Sequence, residues 1–177
     1  MPFTLRTRIN AGPRDFTRFP SEGEPLGQSL LSLVSDRVQD GKLPRPAALV
    51  LRPQEVLQID LLPVQRSTAD THRFLAACTR LEPDVEAIAL VGVLGLRLSP
   101  RAEKSVPALV VFVEWPDCRW WSAQRILREQ QLVPELPARL RSAEEGWPRP
   151  GGLGGWWSRG RVEQLALNVR RNTPTVH

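Results

Sequence analysis

Three features of this 177-residue sequence predict an α+β domain: about five mainly antiparallel strands with helices packed on them, in the order α-β-β-α-β-β-β-α, between extended N- and C-terminal arms. The first is residues 108–115 (ALVVFVEW), a β-branched and aromatic run almost free of charge, as expected of a strand buried on both faces. The second is the spacing of Leu26, Leu30, Leu33, Val34 and Val38, which recurs with the helical period. The third is punctuation: prolines, glycines and aspartates separate the apolar segments at intervals that suit turns between neighbouring elements.

Residues 1–23 read as an extended basic arm. Prolines 2, 13 and 20 and glycines 12 and 23 interrupt any period, while Phe3, Phe16 and Phe19 imply that the arm is laid on a surface. The domain proper is expected over 24–145. Its first helix opens at Pro25, which suits the first turn, and closes before Gly41. A hairpin follows, residues 47–52 and 55–62 joined by Pro53-Gln54, with Leu57, Ile59 and Leu61 alternating against Gln58 and Asp60. Ser67 and Asp70 form a start similar to a capping box for a second helix, which buries Phe74, Leu75, Cys78 and Leu81 and ends before Pro83.

A three-stranded meander comes next, the expected middle of the sheet. Residues 87–98 present Ile88, Leu90, Leu94, Leu96 and Leu98 on one face. On the other stand Ala87, Ala89, Val91, Val93 and Gly95, a surface small enough for a close-packed neighbour. Residues 108–115 are its second strand. Pro116-Asp117 is a turn, Pro presetting φ and Asp able to bond the backbone ahead of it. Residues 119–125 are its third, where Trp120 and Trp121 must point to opposite sides. From about Ala123 to Leu132 a helix is favoured over a continued strand, ended by Pro134 and Pro137, with a second short helical piece expected at 138–145. Residues 146–177 form the C-terminal arm, rich in glycine, tryptophan and arginine, with a weakly alternating run at 161–171. The element order is similar to that of Roadblock-like and profilin-like domains. The likeness has no motif behind it and implies no function.

The charged residues are unusual in kind and in place. Arginines number 22 against two lysines, and tyrosine is absent. Residues 1–20 carry a net +3 and residues 128–177 another +3, leaving the middle of the chain close to neutral. Basic ends on a neutral core suit contact with something anionic, or simply solvated tails. No segment has the length of apolar sequence a membrane span requires, the first residues hold no apolar run of signal-peptide length, and two cysteines make no disulfide framework. Cytoplasmic residence is the expectation.

The sequence offers little chemistry. His72 and His177 are the two histidines, neither CxxC nor HxxxH occurs, and no metal or cofactor is expected. GxxxxGK[ST] and GxSxG are absent. His72 and Cys78, six residues apart, fall on different helix faces, so Cys78 reads as a buried thiol rather than a nucleophile. Glu114 interrupts the most apolar strand. A salt bridge to Arg119 or Arg125 across the turn is the favoured reading, and lining a pocket is the other. Two clusters interleave indoles with guanidinium groups: Arg119, Trp120, Trp121 and Arg125, and then Trp156, Trp157, Arg159 and Arg161. That mixture suits protein interfaces and single-stranded nucleic acid alike. The expectation is therefore a non-enzymatic subunit or adaptor of a larger protein assembly. It would dock through Phe3, Phe16 and Phe19 at one end and Trp147, Trp156, Trp157, Arg159 and Arg161 at the other. The alternative is a nucleic-acid-binding component that uses the terminal arginines and tryptophan stacking.

Overall fold

The computed structural model describes residues 9–20, 23–41, 43–61, 68–80, 84–96, 101, 103–128, 131–141 and 154–157. Seven strands, β1 (Ile9–Pro13), β2 (Ala47–Leu51), β3 (Glu55–Asp60), β4 (Ala87–Leu96), β5 (Val106–Glu114), β6 (Trp120–Arg128) and β7 (Gln131–Arg141), form one antiparallel sheet in the order β1-β3-β2-β4-β5-β6-β7. Helix α1 (Gly23–Gln39) covers one face, and α2 (Thr68–Cys78) belongs to the core on the other.

This two-sided arrangement follows from strands that are apolar on both faces. Leu109, Val111 and Val113 of β5 join the α1 core, while Phe112 joins the α2 core. The small face of β4, Ala87, Ala89 and Val91, lies under α1, whose Leu26, Leu30, Leu31, Val34 and Val38 are all buried there. Trp120 and Trp121 separate as strand geometry demands: Trp121 enters the α1 core and Trp120 the α2 core, stacked on Phe112 at 5.6 Å between ring centroids. The β5–β6 turn is built as its residues suggest. Cys118 N–H donates to the Trp115 carbonyl (2.9 Å), and Asp117 accepts from the Arg119 amide (3.0 Å). Cys118 takes the left-handed position (φ 66°) that closes a three-residue hairpin loop.

Three expectations change. The sheet is larger than five strands because residues of the expected N-terminal arm and of the expected last helix belong to it. β1 lies inside the expected N-terminal arm; its residues INAGP have poor strand propensity, and pairing with β3 from Ile9↔Ile59 to Pro13↔Glu55 holds them. The helix expected from Ala123 is instead the continuation of β6 followed by β7. Pro134 and Pro137, read as helix terminators, sit in β7, the outermost strand on that side among the described residues, a position that tolerates proline. The β6–β7 register also shifts on both sides of Gln124, opposite this proline stretch, so the ladder bends around the missing donors.

The residues after β1 are tied down by one side chain. Arg14 is buried, and its guanidinium donates to the carbonyls of Phe19 (3.0 Å), Pro20 (3.0 Å) and Arg52 (2.7 Å) while pairing with the Glu86 carboxylate. The planar fork thus joins the 14–20 loop, the β2–β3 hairpin and the start of β4. Among the described residues no helix is long and apolar enough to cross a membrane.

At Gly27 α1 packs directly on β6: a Cβ at that position would fall inside the Trp121 indole. Gly27→Val is expected to cost about 1–3 kcal/mol or more through overpacking, and Trp121→Leu to recover part of that loss. Urea midpoints of the two single variants and the double variant test this; additive losses would show that the two side chains do not compete for the same space.

Candidate functional site

A buried polar cluster lies at the C-terminal end of β5. Glu114 has no exposed surface. Strand alternation turns it to the α2 face, and its register partner is Trp120. Trp156 and Trp157, helical and preceded by Gly154 and Gly155 at positive φ (93° and 75°), bring their backbone amides to it. Trp156 N–H donates to one carboxylate oxygen and Trp157 N–H to the other, both at 3.3 Å. The carboxylate stands where a capping side chain would stand, satisfying amides that a helix start leaves without an intrahelical acceptor. The indoles are held as well. Trp157 Nε1 donates to the Glu114 carbonyl (3.3 Å), and Trp156 Nε1 donates to His72 Nδ1 (3.0 Å) on α2. Trp156 meets the Phe112 ring edge-on, with centroids 5.2 Å apart.

This cluster changes the expectation for Glu114. Arg125 pairs in register with Leu109, so alternation puts it on the α1 face, across the sheet from Glu114. Arg119 pairs with Asp117 inside the turn. The carboxylate therefore takes backbone amides from 42 and 43 residues away. Nothing in β5 or β6 signals that partnership. The two clues were an acid in an apolar strand and indoles on a glycine-rich segment, and each had another plausible home.

Trp156 and Trp157, expected on a partner-binding arm, are 0% and 9% exposed, so their surfaces are taken up by this chain's own core. Trp120 and Trp121 are likewise inside and offer no stacking platform. Phe19 packs partly buried against the α1 core, whereas Phe16 is 53% exposed beneath the Arg14 guanidinium, 4.9 Å from its ring centroid. Phe3, Trp147, Arg159 and Arg161 lie outside the described residues.

His72 and Cys78 are both buried, yet they do different work: His72 accepts the Trp156 indole, and Cys78 packs in the sheet core. Burial pushes the Cys78 thiol up to about 11, so at neutral pH it holds its proton. Among the described residues, no three His, Cys, Asp or Glu side chains converge as metal ligands would.

The second place of interest is a surface groove of about 270 Å³ between α1 and the β1-β3-β2 half of the sheet. Leu30, Val34, Leu49 and Val56 form its apolar floor. Arg18, Arg37 and Arg45, all exposed, stand around it, and no Asp or Glu is among its 17 lining residues. Asp15 is the acid near Arg18. Hydrogen bonds from Thr17 hold its carboxyl below the ordinary carboxylate range, with Arg18 adding to the effect. Sequence reasoning did not find this groove, because its arginines come from three separate segments.

No family model matches this chain, and no curated protein or solved structure matches it.

The cluster at Glu114 makes the tryptophans determinants of stability. Trp156→Ala is expected to cost about 3–5 kcal/mol, and Glu114→Gln about 1–3 kcal/mol, because the new amide NH₂ faces a backbone donor. Thermal melts of each variant measure this. An unchanged Tm for Trp156→Ala would mean the indole does not contribute to the core.

Cys78 makes stability fall in alkali. Below the ordinary thiol value of 9.0 both folded and unfolded chains keep the proton; from about 9 upward the unfolded chain loses it first, so stability drops until about 11. The drop is on the order of 2–3 kcal/mol, and the absence of tyrosine leaves this range free of phenolate titration. Urea midpoints at several pH values across this window are expected to decline in the parent chain and to decline less in Cys78→Ala. Equal slopes would assign the alkaline loss to another group.

Proposed function

We propose that this chain is a non-enzymatic subunit or adaptor of a larger protein assembly, and that it meets its partner over the α1–β1 side of the sheet. One observation carries this reading. The two large hydrophobic side chains exposed among the described residues, Phe16 (53%) and Leu43 (58%), both belong to the segments that flank the arginine-lined groove. A lone exposed apolar residue needs no explanation, but two that stand one or two positions in sequence from residues lining one arginine-bearing groove have the make-up of a binding patch. The patch is also preorganised. Arg14 fixes the 14–20 loop from within, the Arg18 and Phe19 amides donate to the Asp15 carbonyl (3.1 and 2.7 Å), and the Ser29 hydroxyl donates to the Arg18 carbonyl. Less conformational entropy is then lost when a partner binds. The buried Glu114–His72–Trp156–Trp157 cluster, by contrast, is engaged in holding the fold together.

A second reading, nucleic-acid binding, draws on the three arginines that face the groove without an acid among its lining. It loses its expected aromatic platform, since Trp120, Trp121, Trp156 and Trp157 are inside the fold.

Purification of the tagged full chain from its source cells, followed by measurement of particle mass at low salt and at about 0.5 M salt, separates the two readings. The expected result is a stoichiometric protein complex that survives the higher salt and nuclease treatment, and that is lost in the Phe16→Ser, Leu43→Ser double variant. A complex dissolved by nuclease would favour the second reading. A lone chain under both conditions would overturn the first.

A further inference from the structure

We infer that the groove between α1 and strands β1, β3 and β2 receives a short extended segment of the partner protein that carries carboxylates beside apolar side chains. This inference rests on the assembly reading above and adds the chemistry of what is bound.

Charge comes first. Arg18 reaches the groove from the 14–20 loop, Arg37 from the last turn of α1, and Arg45 from the lead into β2. Three arginines from three segments line the groove and no Asp or Glu is among its described lining residues, so the lining carries a positive bias that suits an anionic occupant. Guanidinium forks match carboxylates in two-point geometry. The same charge argues against this chain's first eight residues as the occupant, because they carry Arg6 and Arg8 and no acid.

Shape comes second. Asn10, Ala11, Gly12 and Pro13 all line the groove, although alternate residues of a strand face opposite ways. Four consecutive lining residues mean that the groove runs along the backbone of β1, the terminal strand of the sheet among the described residues. An extended segment lying along an edge strand has the right direction for this path, and its alternate side chains reach the apolar floor. Asn10 and Gln58, opposite each other in register, add amide groups that suit a peptide backbone. Phe16 and Leu43 are exposed two positions and one position in sequence from the lining residues Arg18 and Pro44.

The test uses the full chain and two defined hexapeptides, acetyl-Glu-Leu-Asp-Leu-Glu-Leu-amide and its counterpart with lysine at each acidic position, titrated by NMR at low salt. Dodecanoate serves as a small-molecule control. The acidic peptide is expected to shift the amides of Ala11, Gly12 and Leu33 in a saturable way. It should bind at least tenfold more tightly than the lysine peptide, and at least tenfold more weakly to Arg18→Gln, Arg37→Gln, Arg45→Gln. These substitutions are at exposed positions, and an unchanged thermal melt confirms that the variant is folded. Equal binding of both peptides, or unchanged binding by the folded variant, would overturn the proposal. Saturable binding of dodecanoate alone would overturn it too, making the groove a small-amphiphile site. The triple variant is then expressed in the source cells. If peptide binding is lost but the native complex persists, the groove is not the docking site while the assembly reading stands. If the parent chain forms no complex at all, that reading fails independently of the peptide result.

Discussion

A carboxylate with no exposed surface, at the end of the most apolar strand of a sheet, would be among the most costly features a domain of this size could contain if it had no partner. Here two backbone amides, from Trp156 and Trp157, reach its two oxygens. The dependence runs both ways. Without Glu114 the start of that helical turn would hold two amides away from water with no acceptor, and without the turn Glu114 would lack two of the donors that make its burial tolerable. The indoles follow the amides into place, one bonding His72 and the other the Glu114 carbonyl. A single polar contact thereby recruits a segment more than forty residues distant to complete the second hydrophobic core.

That second core is needed because the middle of the sheet has no solvent face. Strands β2, β4 and β5 bury residues of both parities, and each face needs its own cover. On one side lies α1, a 17-residue helix whose Gly27 lets Trp121 come against its backbone. On the other, α2 is an 11-residue helix, and Trp156 and Trp157 join its core. Consecutive tryptophans appear twice in the chain and solve different problems. Trp120 and Trp121 lie on a strand and so serve both cores. Trp156 and Trp157 are helical and serve the same one.

The periphery is organised by a different interaction. Arg14 sits inside the fold with all three guanidinium nitrogens hydrogen-bonded and ties down residues that, by composition, would be a loose arm. The outcome is a loop whose interior is fixed and whose exterior shows Phe16 and Arg18 beside a groove lined by Arg37 and Arg45. The exposed apolar and basic side chains thus gather on that loop and near the groove, while Trp115, Trp120, Trp121, Trp156 and Trp157 are buried in the two cores.

Features that depend on local period and turn chemistry can be read from the order of the residues. Helix α1, the β2–β3 hairpin, α2, the β4–β5–β6 meander, the small face of β4 under a close-packed helix, and the opposed directions of Trp120 and Trp121 were all legible. Each is a relation between residues a few positions apart. Tertiary structure alone decided the rest. β1 is a strand only because β3 offers it a partner; its own residues do not favour one. β7 is a strand in spite of two prolines because an edge position and two register shifts relieve the missing donors, whereas the same prolines read locally as the end of a helix. The partner of Glu114 lies 42 residues ahead, and the cations of the groove converge from three elements. Such contacts are set by how the sheet closes on itself. Side-chain period and propensity carry no information about which distant segment will supply an amide or a guanidinium group, so those features become visible only in the folded chain.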